Sequence, residues 1–235
     1  MTIIELKDVR KDYSLGKVIV QAVRGVSFAI EKGDFISIAG PSGSGKSTIL
    51  NLIGCIDTPT SGIVEIEGMS TAGHSDKELT TLRHEAIGFI FQSFNLIPVL
   101  NVHENIEFPL LMGDGRMSKP KRREWVDSLI AEVGLEQWRD HKPNELSGGQ
   151  RQRVAIARAL VAQPKIVLAD EPTANLDSQT GGQIIELMKK INRDLSTTFV
   201  FSTHDPKIVG IADHIIRLID GQVVENVRVA EPVVG

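Results

Sequence analysis

The sequence predicts an α/β fold: a parallel sheet with helices on its faces and a helical subdomain inserted in mid-chain. Two apolar runs predict the sheet, Phe35 to Ala39 and Ile166 to Ala169, because apolar side chains on consecutive residues suit a strand covered on both faces. The insertion follows from the texture of residues 95–162, where amphipathic stretches such as Lys119 to Glu132 and Gly149 to Ala162 occur without a strand pattern. A third observation is the dipeptide Asp220-Gly221 between two apolar runs, Ile215 to Ile219 and Gln222 to Glu225, which signals a tight antiparallel hairpin.

In chain order, short β-branched runs predict further strands at Ile3 to Val9, Ser27 to Ile30, Ile63 to Ile66, Ile87 to Phe91 and Phe199 to Ser202, each bounded by Gly, Pro, Asp or charge. Helical patterns between them make the sheet α/β. A length of 235 residues, 41% of them hydrophobic, suits a single domain, with its core over about 1–94 and 163–235 and the helical subdomain over about 95–162. Residues 228–235 carry no motif and are expected to fray.

Bulk chemistry narrows the function. A net charge of −4 gives no clustered basic surface for a nucleic-acid backbone. The single cysteine, Cys55, lies in the apolar run Leu52 to Ile56 and reads as a small buried hydrophobe; one cysteine makes neither an internal disulfide nor a cysteine metal cluster. The start Met1-Thr2-Ile3-Ile4-Glu5 does not resemble a secretory leader, and no run approaches the ~20 apolar residues of a membrane span. A cytoplasmic protein is expected, doing any membrane work through another chain.

Gly40-Pro41-Ser42-Gly43-Ser44-Gly45-Lys46-Ser47 fits G-x-x-x-x-G-K-[ST], placed after an apolar strand and before the helix-forming run that starts at Thr48. The glycines let backbone N–H groups turn toward phosphate oxygens, and the helix N-terminus adds partial positive charge. Lys46 would reach the β- and γ-phosphates of a nucleotide, and the Ser47 hydroxyl would ligate Mg²⁺. The strand Ile166 to Ala169 then delivers Asp170 and Glu171 at its C-terminal end, where open α/β sheets bind ligands. Asp170 would hold the metal or its water, and Glu171 would be the general base that takes a proton from the attacking water.

Leu146-Ser147-Gly148-Gly149-Gln150, followed by Arg151 to Leu160, is the point at which the chain resembles the ABC ATPase family. Physically, Ser147 is a good helix N-cap, and Gly148 and Gly149 leave N–H groups bare at a helix start, a second anion site. The resemblance implies the ABC ATPase fold, which adds an antiparallel β region to the parallel sheet. It also implies that the signature of one subunit closes over the ATP held by the phosphate loop of another. That arrangement is a dimer driven by ATP and Mg²⁺; a complete set of motifs in one chain makes a homodimer the simpler case, with a heterodimer open. By the same resemblance Tyr13 stacks on adenine, Gln92 touches Mg²⁺ and the attacking water, and Ala174-Asn175-Leu176-Asp177 crosses the dimer interface. His204, in Ser202-Thr203-His204-Asp205, contacts the γ-phosphate and holds Glu171. His74, His84, His103, His141 and His214 lack metal-ligand spacing and read as surface or packing residues.

The stretches Leu50 to Gly62, Gly88 to Pro98 and Val102 to Leu111 resemble the subfamily that serves lipoprotein release, macrolide efflux and peptide efflux. This implies an exporter ATPase on the cytoplasmic face of the membrane. Its integral membrane permease would dock near the Gln92 loop, in a groove lined by Phe94, Leu96, Ile97, Val99 and Leu100. A cell-division type of signalling ATPase, or an importer ATPase, stays open as an alternative. The cargo and the permease are properties of the partner.

Overall fold

The computed structural model describes residues 1–112 and 117–229. The chain opens with a long hairpin, β1 (Thr2–Leu15) and β2 (Val18–Glu31), followed by β3 (Phe35–Ala39), α1 (Lys46–Ile53), β4 (Ser61–Ile66), β5 (Met69–Ser70), α2 (Asp76–Ala86) and β6 (Ile87–Ile90). Then come α3 (Val102–Met112), α4 (Lys119–Glu132), two short 3₁₀ turns at Glu136–Trp138 and Pro143–Glu145, and α5 (Gly148–Leu160). The chain returns through β7 (Ile166–Ala169), α6 (Ser178–Leu195), β8 (Thr198–Thr203), α7 (Pro206–Val209), β9 (His214–Ile219) and β10 (Gln222–Arg228).

One sheet has the order β2-β1-β4-β5, and its strand pairs are antiparallel. The other has the order β10-β9-β3-β8-β7-β6, parallel except for the β9–β10 hairpin. All residues of β3 and β7 are buried, Ser37 of β3 included, as apolar residues on both parities of each strand require. The pleat divides them between two cores. Phe35, Val167, Ala169, Phe199 and Phe201 pack with Ile106 of α3, Val126 of α4, Ile156 of α5 and Ile184 of α6. Ile36, Ile38, Ile166, Leu168 and Val200 point the other way, onto α1 and the inner face of the antiparallel sheet. The helices α3 to α5 therefore share one core with the parallel sheet.

Three features differ from the sequence expectation. β1 and β2 run well past Val9 and before Ser27, because ladder pairing from Arg10↔Arg24 to Leu15↔Val18 continues where little is buried. A register shift between Leu6 and Val9, with Asp8 at φ +43, also breaks the alternation that would signal one long strand. Helix α2 carries little apolar content; its signal is the capping box Ser75-x-x-Glu78, which the structure forms in both directions. Arg228, expected to fray, instead ends β10 with its guanidinium bidentate on Asp34, both bonds 2.9 Å, and the next amide, that of Val229, donates to Asp213. The rest of that expected frayed end, residues 230–235, lies outside the described residues.

Candidate active site

The loop from Gly40 to Ser47 joins β3 to α1 with Gly43 at φ +79 and Gly45 at φ +101. At Gly45 the requirement is double, since a Cβ would also stand 2.5 Å from the Ala22 carbonyl oxygen. Gly45 is the N-cap of α1, no side chain caps the helix, and no acid sits in its first turn, so its leading N–H groups face the loop. Lys46 is 5% exposed. Its Nζ donates to the carbonyls of Gly40 and Pro41, each at 2.9 Å, and stands 3.7 Å from Glu171 Oε1.

A cavity of about 520 Å³ opens over this loop. Ser42, Gly43, Gly45, Lys46, Ser47 and Thr48 form one wall, and Gln92 and Glu171 form another. The parallel sheet brings the acids there: β7 pairs with β8, so Asp170 and Glu171 emerge beside Ser202. Ser47 Oγ donates to Asp170 Oδ1 at 3.0 Å, and Ser202 Oγ donates to the same oxygen at 2.6 Å. Glu171 has φ +44, and its backbone N–H donates to Ser202 Oγ at 2.8 Å. His204 Nδ1 lies 3.2 Å from Glu171 Oε1. The two neighbouring carboxylates thus face different partners, a loop hydroxyl for Asp170 and a cation and an imidazole for Glu171.

Sequence reasoning did not anticipate the third wall. Val20, Gln21, Ala22 and Arg24 of β2 and the Asp220-Gly221 turn also line the cavity. Asp220 and Gly221 both have positive φ, as the tight hairpin demands, and the Arg24 amide donates to the Gly221 carbonyl at 2.8 Å. Their contribution depends on how two distant hairpins meet, for which no local pattern exists. Ser202 likewise carries no local signal beyond its place two residues before His204.

Other predicted site residues lie outside this cavity. Tyr13 is partly buried, with its hydroxyl donating to Asp57 Oδ2 at 2.7 Å and Lys11 Nζ 4.9 Å from its ring centre. Burial and the bond to the Asp57 carboxylate raise the phenol pKa. Ser147 caps α5 and closes a capping box with Gln150, leaving Gly148 and Gly149 as the first helical residues. Gly148 packs on the 174–177 loop, where a Cβ would lie 3.1 Å from Leu176, and Gly149 packs on α6, where a Cβ would lie 2.6 Å from the Thr180 methyl. Asp177 caps α6 by accepting from Gln179 and Thr180, and the Thr180 bonds hold its carboxyl below the ordinary range.

The Gln92 loop is tied to both neighbours. Asn175 Nδ2 donates to the Gln92 carbonyl at 2.8 Å, and Arg158 of α5 donates to the carbonyls of Phe94 and Asn95, both at positive φ. Asn105, fully buried on α3, accepts from the Ile97 amide and donates to the carbonyls of Ile97, Leu100 and Asn101. On the loop so held, Val99 is 73% exposed, Phe94, Ile97 and Leu100 are partly buried, and Leu96 packs on the core. Of the remaining histidines, His214 is buried between Asp34 and Asn226, while His103 lies near Glu107 and Asp127.

The family model described as ABC transporter matches residues 23–174. An uncharacterised ABC transporter ATP-binding protein of Methanocaldococcus jannaschii, MJ0796, is 50% identical over 94% of each chain. The lipoprotein-releasing system ATP-binding protein LolD 1 of Rhodopseudomonas palustris is 43% identical over 94% of this chain and 98% of its own. The macrolide export ATP-binding/permease protein MacB of Syntrophobacter fumaroxidans is 42% identical over 94% of this chain, which spans 31% of that longer protein. A dimeric post-hydrolysis structure of MJ0796 bound to ADP and Pi superposes with a TM-score of 0.89 at 47% identity, covering 97% of this chain and 99% of that one.

Proposed function

The chain belongs to the ABC transporter family, and from that premise we propose that it hydrolyses ATP in the Lys46–Glu171 cavity, as a dimer that drives a separate membrane permease. It is the ATP-binding, ATP-hydrolysing subunit of such a transporter. The observation that carries the site assignment is the division of labour between two adjacent carboxylates, Asp170 bonded to Ser47 and Glu171 facing Lys46 and His204.

Glu171 accepts a proton from the attacking water, held in place by His204; Lys46 exchanges its carbonyl partners for the β- and γ-phosphates; Gln92 orients the water. The donors Ser47 Oγ, the Asp170 carboxylate and the Gln92 amide are all hard oxygens, a set that fits Mg²⁺ arriving with nucleotide phosphates. When bound, the ion neutralises charge that develops on the phosphates. Tyr13, anchored through Asp57, offers its ring to adenine. Ser147 to Gln150 lie away from their own chain's cavity, which supports a head-to-tail dimer in which each signature serves the partner's nucleotide. The dimeric MJ0796 structure supports the same reading.

The permease docks on the loop held by Asn105, from Phe94 to Leu100. No helix among the described residues is long and apolar enough to cross a membrane, and the subunit works peripherally on the cytoplasmic face through that partner. Likeness to LolD and MacB favours export of lipoprotein, peptide or drug cargo.

The decisive variant is Glu171→Gln. It should bind ATP, persist as an ATP-dependent dimer in size-exclusion chromatography and lose roughly 10²- to 10⁴-fold in turnover. Ordinary turnover in this variant removes Glu171 from the role of base.

A further inference from the structure

We propose that Ser202 is a positioning residue that couples the metal-side carboxylate to the catalytic base, using one hydroxyl for both. The inference rests on the reading of Ser47 and Asp170 as metal-side ligands. Ser202 sits at the end of β8, the strand between β3 and β7, and is 0% exposed. A serine hydroxyl has one proton and two lone pairs. Here the proton goes to Asp170 Oδ1 at 2.6 Å, the length of a charge-assisted bond, and a lone pair accepts the Glu171 backbone N–H at 2.8 Å.

Both bonds bear on function. Asp170 Oδ1 takes hydroxyls from Ser202 on the buried side and Ser47 on the cavity side, which fixes the carboxylate's rotation. A cation on Ser47 would use a lone pair of that hydroxyl and leave its proton with Asp170. Glu171 stands at φ +44, a conformation costly for a side-chain-bearing residue, which the surrounding structure must hold. The Ser202 acceptor is the hydrogen bond that ties its amide to β8. Removing the hydroxyl frees Asp170 to rotate and loosens the backbone that aims Glu171, although Ser202 does not line the cavity.

The test separates this role from simple packing. Mn²⁺ bound to the ADP complex is titrated by electron paramagnetic resonance in Ser202→Ala, Ser202→Thr, Ser47→Ala and Asp170→Asn. Loss of a group that orients a metal ligand costs roughly 10- to 100-fold in metal affinity, and that is expected for Ser202→Ala, with metal-free ADP affinity unchanged. At saturating Mg²⁺ its kcat falls while KM for ATP holds. Ser202→Thr, which keeps the hydroxyl, restores Mn²⁺ binding. Unchanged Mn²⁺ affinity in Ser202→Ala, with the two control variants weakened, overturns this inference alone. If the controls also bind Mn²⁺ normally, the metal-side reading itself has failed. Should Ser202→Ala not fold, Ser202→Cys retains the volume with a weak donor; it must still bind Mn²⁺ less tightly, and full affinity there is equally fatal.

Discussion

Glu171 illustrates how strain and chemistry coincide at single positions. Its left-handed backbone turns the chain sharply at the end of β7, so that successive carboxylates face different partners. Gly45 is the complementary case, where the backbone must be left-handed and a Cβ would meet the Ala22 carbonyl. Strain of about 1–3 kcal/mol at about 1.4 kcal/mol per tenfold makes Gly45→Ala bind MgATP roughly 5- to 150-fold more weakly by calorimetry. Wild-type affinity would show that the loop tolerates a side chain. Tyr13 offers a sharper comparison, because its hydroxyl is bonded to Asp57, which leaves the ring for the proposed contact with adenine. Base stacking on an aromatic is worth about 1–3 kcal/mol. Tyr13→Ala should therefore weaken ATP binding by a similar factor while Tyr13→Phe retains most of it. Equal losses in both variants would assign the hydroxyl, not the ring.

Between elements, the Gln92 loop is the joint. Arg158 of α5 and Asn105 of α3 hold its main chain, and Asn175 reaches it from the loop before α6. Burial lowers the pKa of the Arg158 guanidinium, a sign of how far its charge is drawn into the protein to hold two carbonyls. Asn105→Ala would strand a buried amide and several carbonyls. The cost is about 1–3 kcal/mol, or several degrees of Tm for a chain of this size, by thermal denaturation. The same variant should recover less permease in pull-downs, because the proposed docking loop loses its scaffold. Full recovery would move the docking site elsewhere.

On the scale of the whole molecule, Asp34 closes the fold by joining the β2–β3 turn to both strands of the C-terminal hairpin. Burial pushes its carboxyl up, but the bonds from His214 and Arg228 outweigh that and leave it at about 2. The folded value lies below the ordinary 3.8, so the unfolded chain takes up this proton first. Its contribution is complete above about pH 4 and is lost as pH falls toward 2. Arg228→Ala should lower the urea midpoint at neutral pH and flatten the acid decline, and an unaltered profile would show the pair to be inert. Transport is tested at this scale as well. Glu171→Gln, held closed with ATP in native membranes, should co-purify a permease with few membrane helices and a large extracytoplasmic domain. A many-helix importer permease would reassign the subfamily.

The strands buried on both faces, the phosphate loop and the paired acids were legible in the amino-acid order alone, because each is a local pattern tied to backbone geometry. Apolar residues on both parities of the strand, at 35, 36, 38 and 39 and at 166–169, mean burial on two sides wherever the strands end up, and Gly45 with Lys46 states its own conformation. Ser147 was legible as a cap for the same reason, whereas the capping of α6 by Asp177 emerged only in the structure. It took the folded chain to show that Val20, Gln21, Ala22, Arg24 and the Asp220-Gly221 turn wall the cavity, that Asp57 fixes Tyr13, and that Ser202 joins two carboxylates. Those pairings join residues from about 30 to 200 positions apart through sheet order and register, and a hydrogen bond between distant strands leaves no periodicity in either of them.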